Sequence, residues 1–280
     1  MRTRSRARRV ALDYAVRAAS TVSALIGIFF LCWILVVVIH RGSAALNWDF
    51  FTKLPAPPGA EGGGLANAIL GTLIMTAIAG AIGVPIGVLT GVYLSEYGRG
   101  GTFASLVRFT VNVMMGLPSI ITGLFVYTML VVTLGHFSGW AGAVSLVFII
   151  MPIVAGTTED MLRMVPDSMR ESALALGAPS WRTTLGIVFR GAKVGLITGV
   201  LLAIARATGE TAPLLFTSLN SPYWPGNLNH PTGNLTVTIF SYAMSPYPDW
   251  QQMAWGASLL ITVGVLSMTI LTRLALVRKG

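Results

Sequence analysis

The sequence predicts an all-α membrane protein with six transmembrane helices, and three observations carry that prediction. Hydrophobic residues make up 54% of the 280 positions and charged residues only 10%, whereas soluble domains carry about 25% charged residues. Mean hydropathy is +0.73. The apolar residues form long continuous runs, not the short alternating segments of a membrane β-barrel, so the spans are helices that satisfy their own backbone hydrogen bonds. Finally, the basic residues are one-sided with respect to those runs.

About 20 residues cross the hydrocarbon, which gives spans near 18–40, 67–94, 108–134, 141–162, 194–216 and 252–273. The first is longer than a signal-peptide core and no small-x-small cleavage site follows it, so it reads as a retained span. With the N-terminus in the cytoplasm, Arg41 and Lys53 fall outside, Arg206 lies within the fifth span, and every other Lys and Arg falls inside. The formal charge of +9 is therefore a topological signal and not a nucleic-acid footprint. The basic segment 1–17 either touches anionic headgroups or acts only in topology, and 274–280 is a short cytoplasmic tail.

Between the spans, 41–66 is Pro- and Gly-rich and reads as an irregular extracytoplasmic loop. Residues 217–251 are punctuated by prolines, with "LTVTIFSYA" as a short helix or re-entrant piece; its Asn234-Leu235-Thr236 match to a glycosylation acceptor reads as chance. Gly80, Gly83, Pro85 and Gly87 in the second span, and Gly116, Pro118 and Gly123 in the third, suit tight packing or a path that must flex. The core from 67 to 273 thus holds five helices.

Covalent catalysis has no support. The sequence lacks a phosphate-binding loop and HExxH, its histidines (His40, His136, His230) are isolated, and the single Cys32 lies in the first span. Neither a metal nor a cofactor is expected in this chain. Glu96, Glu159 and Asp160 sit near cytoplasmic span ends and read as helix caps or surface groups, with a part in exit as the alternative.

Between the fourth and fifth spans lies "MVPDSMRESALALGAPSWRTTLGIVF". Pro166 opens a helix with Asp167 or Ser168 as N-cap, and Gly177 followed by Pro179 stops it, so a short element is expected over 167–180. Met169, Ala173, Leu174 and Leu176 form its apolar side and Arg170 and Glu171 its polar side. Such a helix docks into a groove on a partner or lies in the headgroup layer.

"ESALALGAPSWRTTLGIVF" resembles the EAA loop of ATP-binding-cassette importer permeases, with Glu171, Ala173 and Gly177 matching, Ser172 in place of the central alanine, and Phe189-Arg190 where the family has Leu-Pro. "GLPSIITGLFVY", "AIARATGETAPLLFT" and "IFSYAMSPYPDWQQMAWG" narrow the resemblance to phosphate-specific permeases of the PstA type, over residues from about 65 onward. The resemblance implies a type I importer permease fold in the bacterial inner membrane. It implies a PstC-like permease as heterodimer partner, an extracytoplasmic binding protein that delivers phosphate, and an ATPase dimer that holds ATP and Mg. It also implies that Arg170, Glu171, Ser172, Ala173, Leu176, Gly177 and Ala178 form the coupling helix that docks on the ATPase. The rival reading within the class is a permease for another oxyanion, such as molybdate or phosphonate; a stand-alone channel or a scaffold lies further off.

In the fifth span, "LLAIARATGETAPLLF" carries Arg206 and Glu210 in apolar surroundings. Each full charge costs roughly 2.5 to 3.5 kcal/mol at mid-membrane. One helical turn apart, the two can partly neutralise each other. A guanidinium always bears charge and presents a planar fork to oxyanions. The pair is therefore expected either to line a phosphate path, with Arg206 as a transient contact tethered by Glu210 and with Thr208 and Thr211 as flanking hydroxyl donors, or to lock two spans as a structural ion pair.

Overall fold

The computed structural model describes residues 6–98 and 100–277, nearly all of them helical. Helix α1 (Arg6–Gly42) is a 37-residue rod whose most apolar stretch contains no buried residue. Only its far end docks: Gly42 lies against Leu259, and the Arg41 guanidinium sits over the Trp255 ring at 5.3 Å. The connection that follows is more ordered than its composition suggests. Asn47 accepts from Phe50 N at 2.8 Å to cap α2 (Trp48–Thr52), and Phe50 is fully buried among Leu65, Leu235 and Ala257.

The centre of the bundle is α7 (Gly139–Arg163), gripped by α3 (Ala66–Val92), which runs on into a π turn at Tyr93–Tyr97. Gly83, Gly87 and Gly91 recur every four residues along α3 and face α7. A Cβ added at Gly87 would lie 2.8 Å from Val154 Cβ, and one at Gly91 2.5 Å from Thr158 Cβ. Without a hydrophobic drive between helices in lipid, such close backbone approach supplies dispersion energy in its place. Met75, Leu146, Ile150, Val154 and Leu214 form the core around this seam.

The third span is not the single rod expected over 108–134. Helix α4 (Thr102–Gly116) and α5 (Ser119–Val126), which continues through a π turn at Tyr127–Val131 into α6 (Val132–Leu134), meet at 106° across Leu117 and Pro118. Proline removes a donor and biases the residue before it toward extended backbone, so Leu117, with φ −69° and ψ 135°, breaks the helix. Among the described residues, five helices are long and apolar enough to cross a membrane, and there are six if the bent pair is one span.

Beyond α7, Pro166 leads into α8 (Asp167–Ala175), which Gly177 ends in the left-handed region at φ 81°. The fifth span begins earlier than expected: α9 (Ser180–Thr183), a π turn at Thr184–Val188 and α10 (Phe189–Thr208) form one apolar rod, and α11 (Ala212–Thr217) follows a break. Helix α12 (Leu235–Ala243) is the short helix expected at "LTVTIFSYA", and α13 (Pro248–Val277) closes the bundle. Asn234 has a structural task here: fully buried, it accepts from Val237 N at 2.9 Å as the cap of α12.

Candidate functional site

Arg206 stands in the last turn of α10, but Glu210 is not one turn further along the same helix. The helix stops at Thr208, and Gly209 N and Glu210 N close back on the carbonyls of Arg206 and Ala207 at 3.1 and 3.2 Å. Glu210 occupies the break. Its carbonyl, left without a helical donor, accepts from Thr236 Oγ1 of α12 at 2.8 Å. Irregular backbone at membrane depth persists only where protein or a cavity accommodates it.

The side chains of the pair still meet, with Arg206 Nε 3.7 Å from Glu210 Oε1, an ion pair too long for a hydrogen bond. The Arg206 side chain is 59% exposed while that of Glu210 is only 14% exposed. The carboxylate is thus set in the wall and the guanidinium projects from it, with no hydrogen-bond partner for its terminal nitrogens among the described residues.

A narrow cleft holds this pair, lined by Met114, Met115 and Leu117 at the bend, Ser119 and Thr122 on α5, and Ile149, Pro152 and Ile153 on α7. Stretches of sequence at 114–122 and 206–210 therefore converge. The contact that joins them is Gly123 on α5 against Pro213 on α11, where an added Cβ would lie 2.6 Å from Pro213 Cα. Glycine at 123 is required by that approach.

Thr208 and Thr211 are not brought into the cleft. Thr208 donates to the Ile204 carbonyl at 2.9 Å and lines a separate apolar groove of about 540 Å³ with Gly80, Val84 and Val200. Thr211 stands at the start of α11 with no side-chain capping bond. The hydroxyls that do reach the cleft are Ser119 and Thr122, which the sequence reading left without a role. The signal for them was Pro118: a bend there presents the first turn of the next helix, and residues three apart share a face.

At the end of the bundle that carries α8, Arg170 is a correction to its expected place on the polar side of that helix. Its side chain is only 9% exposed and points inward. Nε and Nη2 donate to the two carboxylate oxygens of Glu96 at 3.1 and 2.8 Å, and the guanidinium also donates to the Leu162 and Val165 carbonyls. The hydrogen bond to Glu96 raises the Arg170 pKa above its ordinary value, against an opposing push from burial. Glu96 is therefore no surface cap. Ala173 is likewise buried against the body, so the outward face of the helix consists of Met169, Glu171, Ser172, Leu174 and Leu176, the last 89% exposed. Gly177 is exposed and Ala178 half-buried at its end.

Glu159, also expected as a cap or surface group, is buried; its Oε1 takes Arg108 Nη2 and Arg163 Nη2 at 2.8 Å each, tying α4 to α7. Asp160 is exposed.

A helical bundle with a charged, broken span beside a bent one, and a short exposed helix tied beneath it, defines a polytopic membrane transport component of the ABC importer permease fold. The chain belongs to the family described as binding-protein-dependent transport system inner membrane component, whose model matches residues 83–278. Its relatives include the phosphate transport system permease proteins PstA of Yersinia pestis, 46% identical over 93% of this chain and 88% of that one, and of Haemophilus influenzae, 48% identical over 91% and 90%. Among solved structures, the fold is shared with a bacterial ABC transporter involved in import of the acidic polysaccharide alginate (TM-score 0.65, 13% identity, 97% and 96% coverage). It is shared also with the MetNI methionine ABC transporter in an inward-facing conformation (TM-score 0.62, 21% identity, 77% and 95% coverage).

Proposed function

We propose that this chain is the permease subunit of an ATP-driven importer of inorganic phosphate, forming half of the translocation path. The observation that carries the reading is the Arg206 cleft, in a chain whose relatives bear the name of phosphate permeases. A guanidinium fixed by its own carboxylate, yet with its terminal nitrogens free, can exchange water for phosphate oxygens as the anion passes. Glu210 keeps the site from holding the anion too strongly, as throughput requires. Ser119 and Thr122 supply hydroxyls beside it, in place of Thr208 and Thr211.

A PstC-like permease supplies the other half of the path, and an extracytoplasmic binding protein delivers phosphate. ATP and Mg are held by an ATPase dimer, against which α8 docks. In this assignment Glu171, Ser172 and Leu176, with Met169 and Leu174, face the ATPase. Arg170 and Ala173 act from behind by holding the helix to the body, and Gly177 and Ala178 set its end. The α8 end of the bundle is then cytoplasmic, as are both termini.

The test is radiolabelled phosphate uptake by the reconstituted complex. Arg206→Ala abolishes uptake while the ATPase still co-purifies, and Arg206→Lys, which keeps the charge without the fork, restores only a part. Undiminished uptake in Arg206→Ala overturns the role of this site; competition by molybdate or sulfate equal to that by arsenate overturns the assignment to phosphate.

A further inference from the structure

The seam between α4 and α7 runs from the Arg206 cleft, which Met115 and Ile153 line, to a second pair of guanidinium groups at Arg108 and Arg163. On α7 the cleft is floored by Ile149, Pro152 and Ile153. The same stripe runs on at helical spacing through Gly156 to Glu159 and Arg163. Six residues separate Ile153 from Glu159, about 9 Å of axial rise.

The facing stripe on α4 is Arg108, Asn112 and Met115, at i, i+4 and i+7. Met115 belongs to the cleft and its sulfur lies over Gly156, where an added Cβ would be 3.3 Å away. Arg108 reaches Glu159 at the other end. Between them Asn112 is exposed and has no hydrogen-bond partner among the described residues, an uncommon state for a carboxamide inside an apolar span.

At the lower end of the seam two guanidinium groups share one carboxylate oxygen, which leaves one positive charge uncompensated within that trio. Arg108 brings Nε at 2.9 Å and Nη2 at 2.8 Å, and Arg163 brings Nη2 at 2.8 Å, all to Glu159 Oε1. Arg108 is 32% and Arg163 50% exposed, and neither guanidinium has a hydrogen-bond partner other than Glu159 among the described residues. The arrangement repeats the logic of the upper site: a carboxylate set in the wall and arginines projecting from it.

We propose that Arg108 and Arg163, held by Glu159, form a second oxyanion site at the α8 end of the bundle, reached from Arg206 past Asn112. The ligand is a phosphoryl oxyanion with several acceptor oxygens, which suits the free donors of two guanidinium groups. We assign it to the transported anion; the headgroup of an anionic lipid carries the same chemistry. The assignment rests on the path reading of Arg206. Its physical use is in release: a charge leaving mid-membrane is stabilised stepwise, so that no single site must be strong enough to trap it.

The experiment is ATP-driven uptake of radiolabelled phosphate by the complete complex, reconstituted in parallel into vesicles of phosphatidylcholine alone and of phosphatidylcholine with phosphatidylglycerol. The variants are Arg163→Gln, which leaves the α4–α7 tie through Arg108 in place, and Asn112→Leu, which substitutes an exposed carboxamide with an apolar side chain suited to lipid. Arg206→Ala is run beside them. In both lipids each of the two variants lowers the maximal rate about tenfold, the loss of roughly one charge-assisted hydrogen bond, with half-saturating phosphate unchanged and the ATPase still co-purifying. Uptake that is undiminished in both variants while Arg206→Ala is inactive overturns the second site alone; undiminished uptake in all three overturns the path reading with it. A loss in Arg163→Gln confined to the vesicles with phosphatidylglycerol assigns the site to lipid headgroups and overturns its place on the path.

Discussion

Arg170 of α8 and Glu96 at the end of α3 form a two-bond fork, 2.8 and 3.1 Å, that fastens the short exposed helix to the bundle. Both side chains are nine-tenths buried. The same guanidinium closes the Leu162 carbonyl at the end of α7. One side chain thus ties α8 to two membrane helices.

Breaking a buried ion pair from one side costs about 3–5 kcal/mol, because the remaining charge loses its partner in a poorly solvated place. Arg170→Met is expected to free α8 from the body. Hydrogen exchange over 164–180 should rise by orders of magnitude with little change in α7, and Arg170→Lys, which lacks the fork, should recover only part of the protection. Exchange at wild-type rates in both variants would show that the fork does not hold the helix.

The α3–α7 seam admits no side chain at Gly87 or Gly91. Gly87→Val would place methyl groups into the Met151 carbonyl and Val154 Cβ, which an added Cβ already approaches to 2.7 and 2.8 Å. Overpacking of this kind costs roughly 1–3 kcal/mol. A drop in the thermal midpoint of the detergent-solubilised protein checks it, with Gly27→Val on the exposed face of α1, where nothing lies within 4 Å, expected to leave the midpoint in place.

The break that carries Glu210 depends on Thr236. Thr236→Val removes the 2.8 Å hydrogen bond to the Glu210 carbonyl while nearly preserving volume. A fully buried carbonyl left unsatisfied costs about 1–3 kcal/mol, and the half-buried Glu210 carbonyl lies at the low end of that range. Stability should fall by that order and phosphate uptake should fall with it, whereas Thr208→Val, whose hydroxyl only returns to its own helix, should leave uptake near wild type.

Tyr242 stacks on Trp250 at 4.3 Å, and burial pushes its phenol from 10.0 up to about 12. A folded-state pKa above the unfolded value gives stability that is full below pH 10 and is lost as pH rises through about 12. The difference absorbance of phenolate between wild type and Tyr242→Phe should therefore appear near pH 12; an inflection near 10 would show that the ring is solvated.

Much of the site was legible because charges at membrane depth are conspicuous. Arg206 and Glu210 stood out by their cost alone, and the α8 helix by its proline and glycine punctuation. Thr208 and Thr211 lie outside the cleft because the helix expected through 194–216 breaks after Thr208. Once Gly209 and Glu210 leave the helix, the angular order of every later residue changes. Arg170 departs from expectation for a different reason: a lone arginine on a short amphipathic helix faces solvent by default, and only a carboxylate 74 positions away reverses that default.

The sequence by itself determined the membrane class, the apolar runs, the charges placed within them and the short helix between the fourth and fifth spans, since all of these follow from hydropathy, charge and local backbone preference over a few neighbouring residues. Tertiary structure alone decided that the third span bends onto the fifth, that Ser119 and Thr122 share a cleft with Arg206, and which carboxylate each arginine meets. The reason is that ion pairs and small-residue contacts are satisfied by groups distant in the chain, and in an apolar medium the few polar partners within reach, and not local propensity, determine where a charged side chain comes to rest.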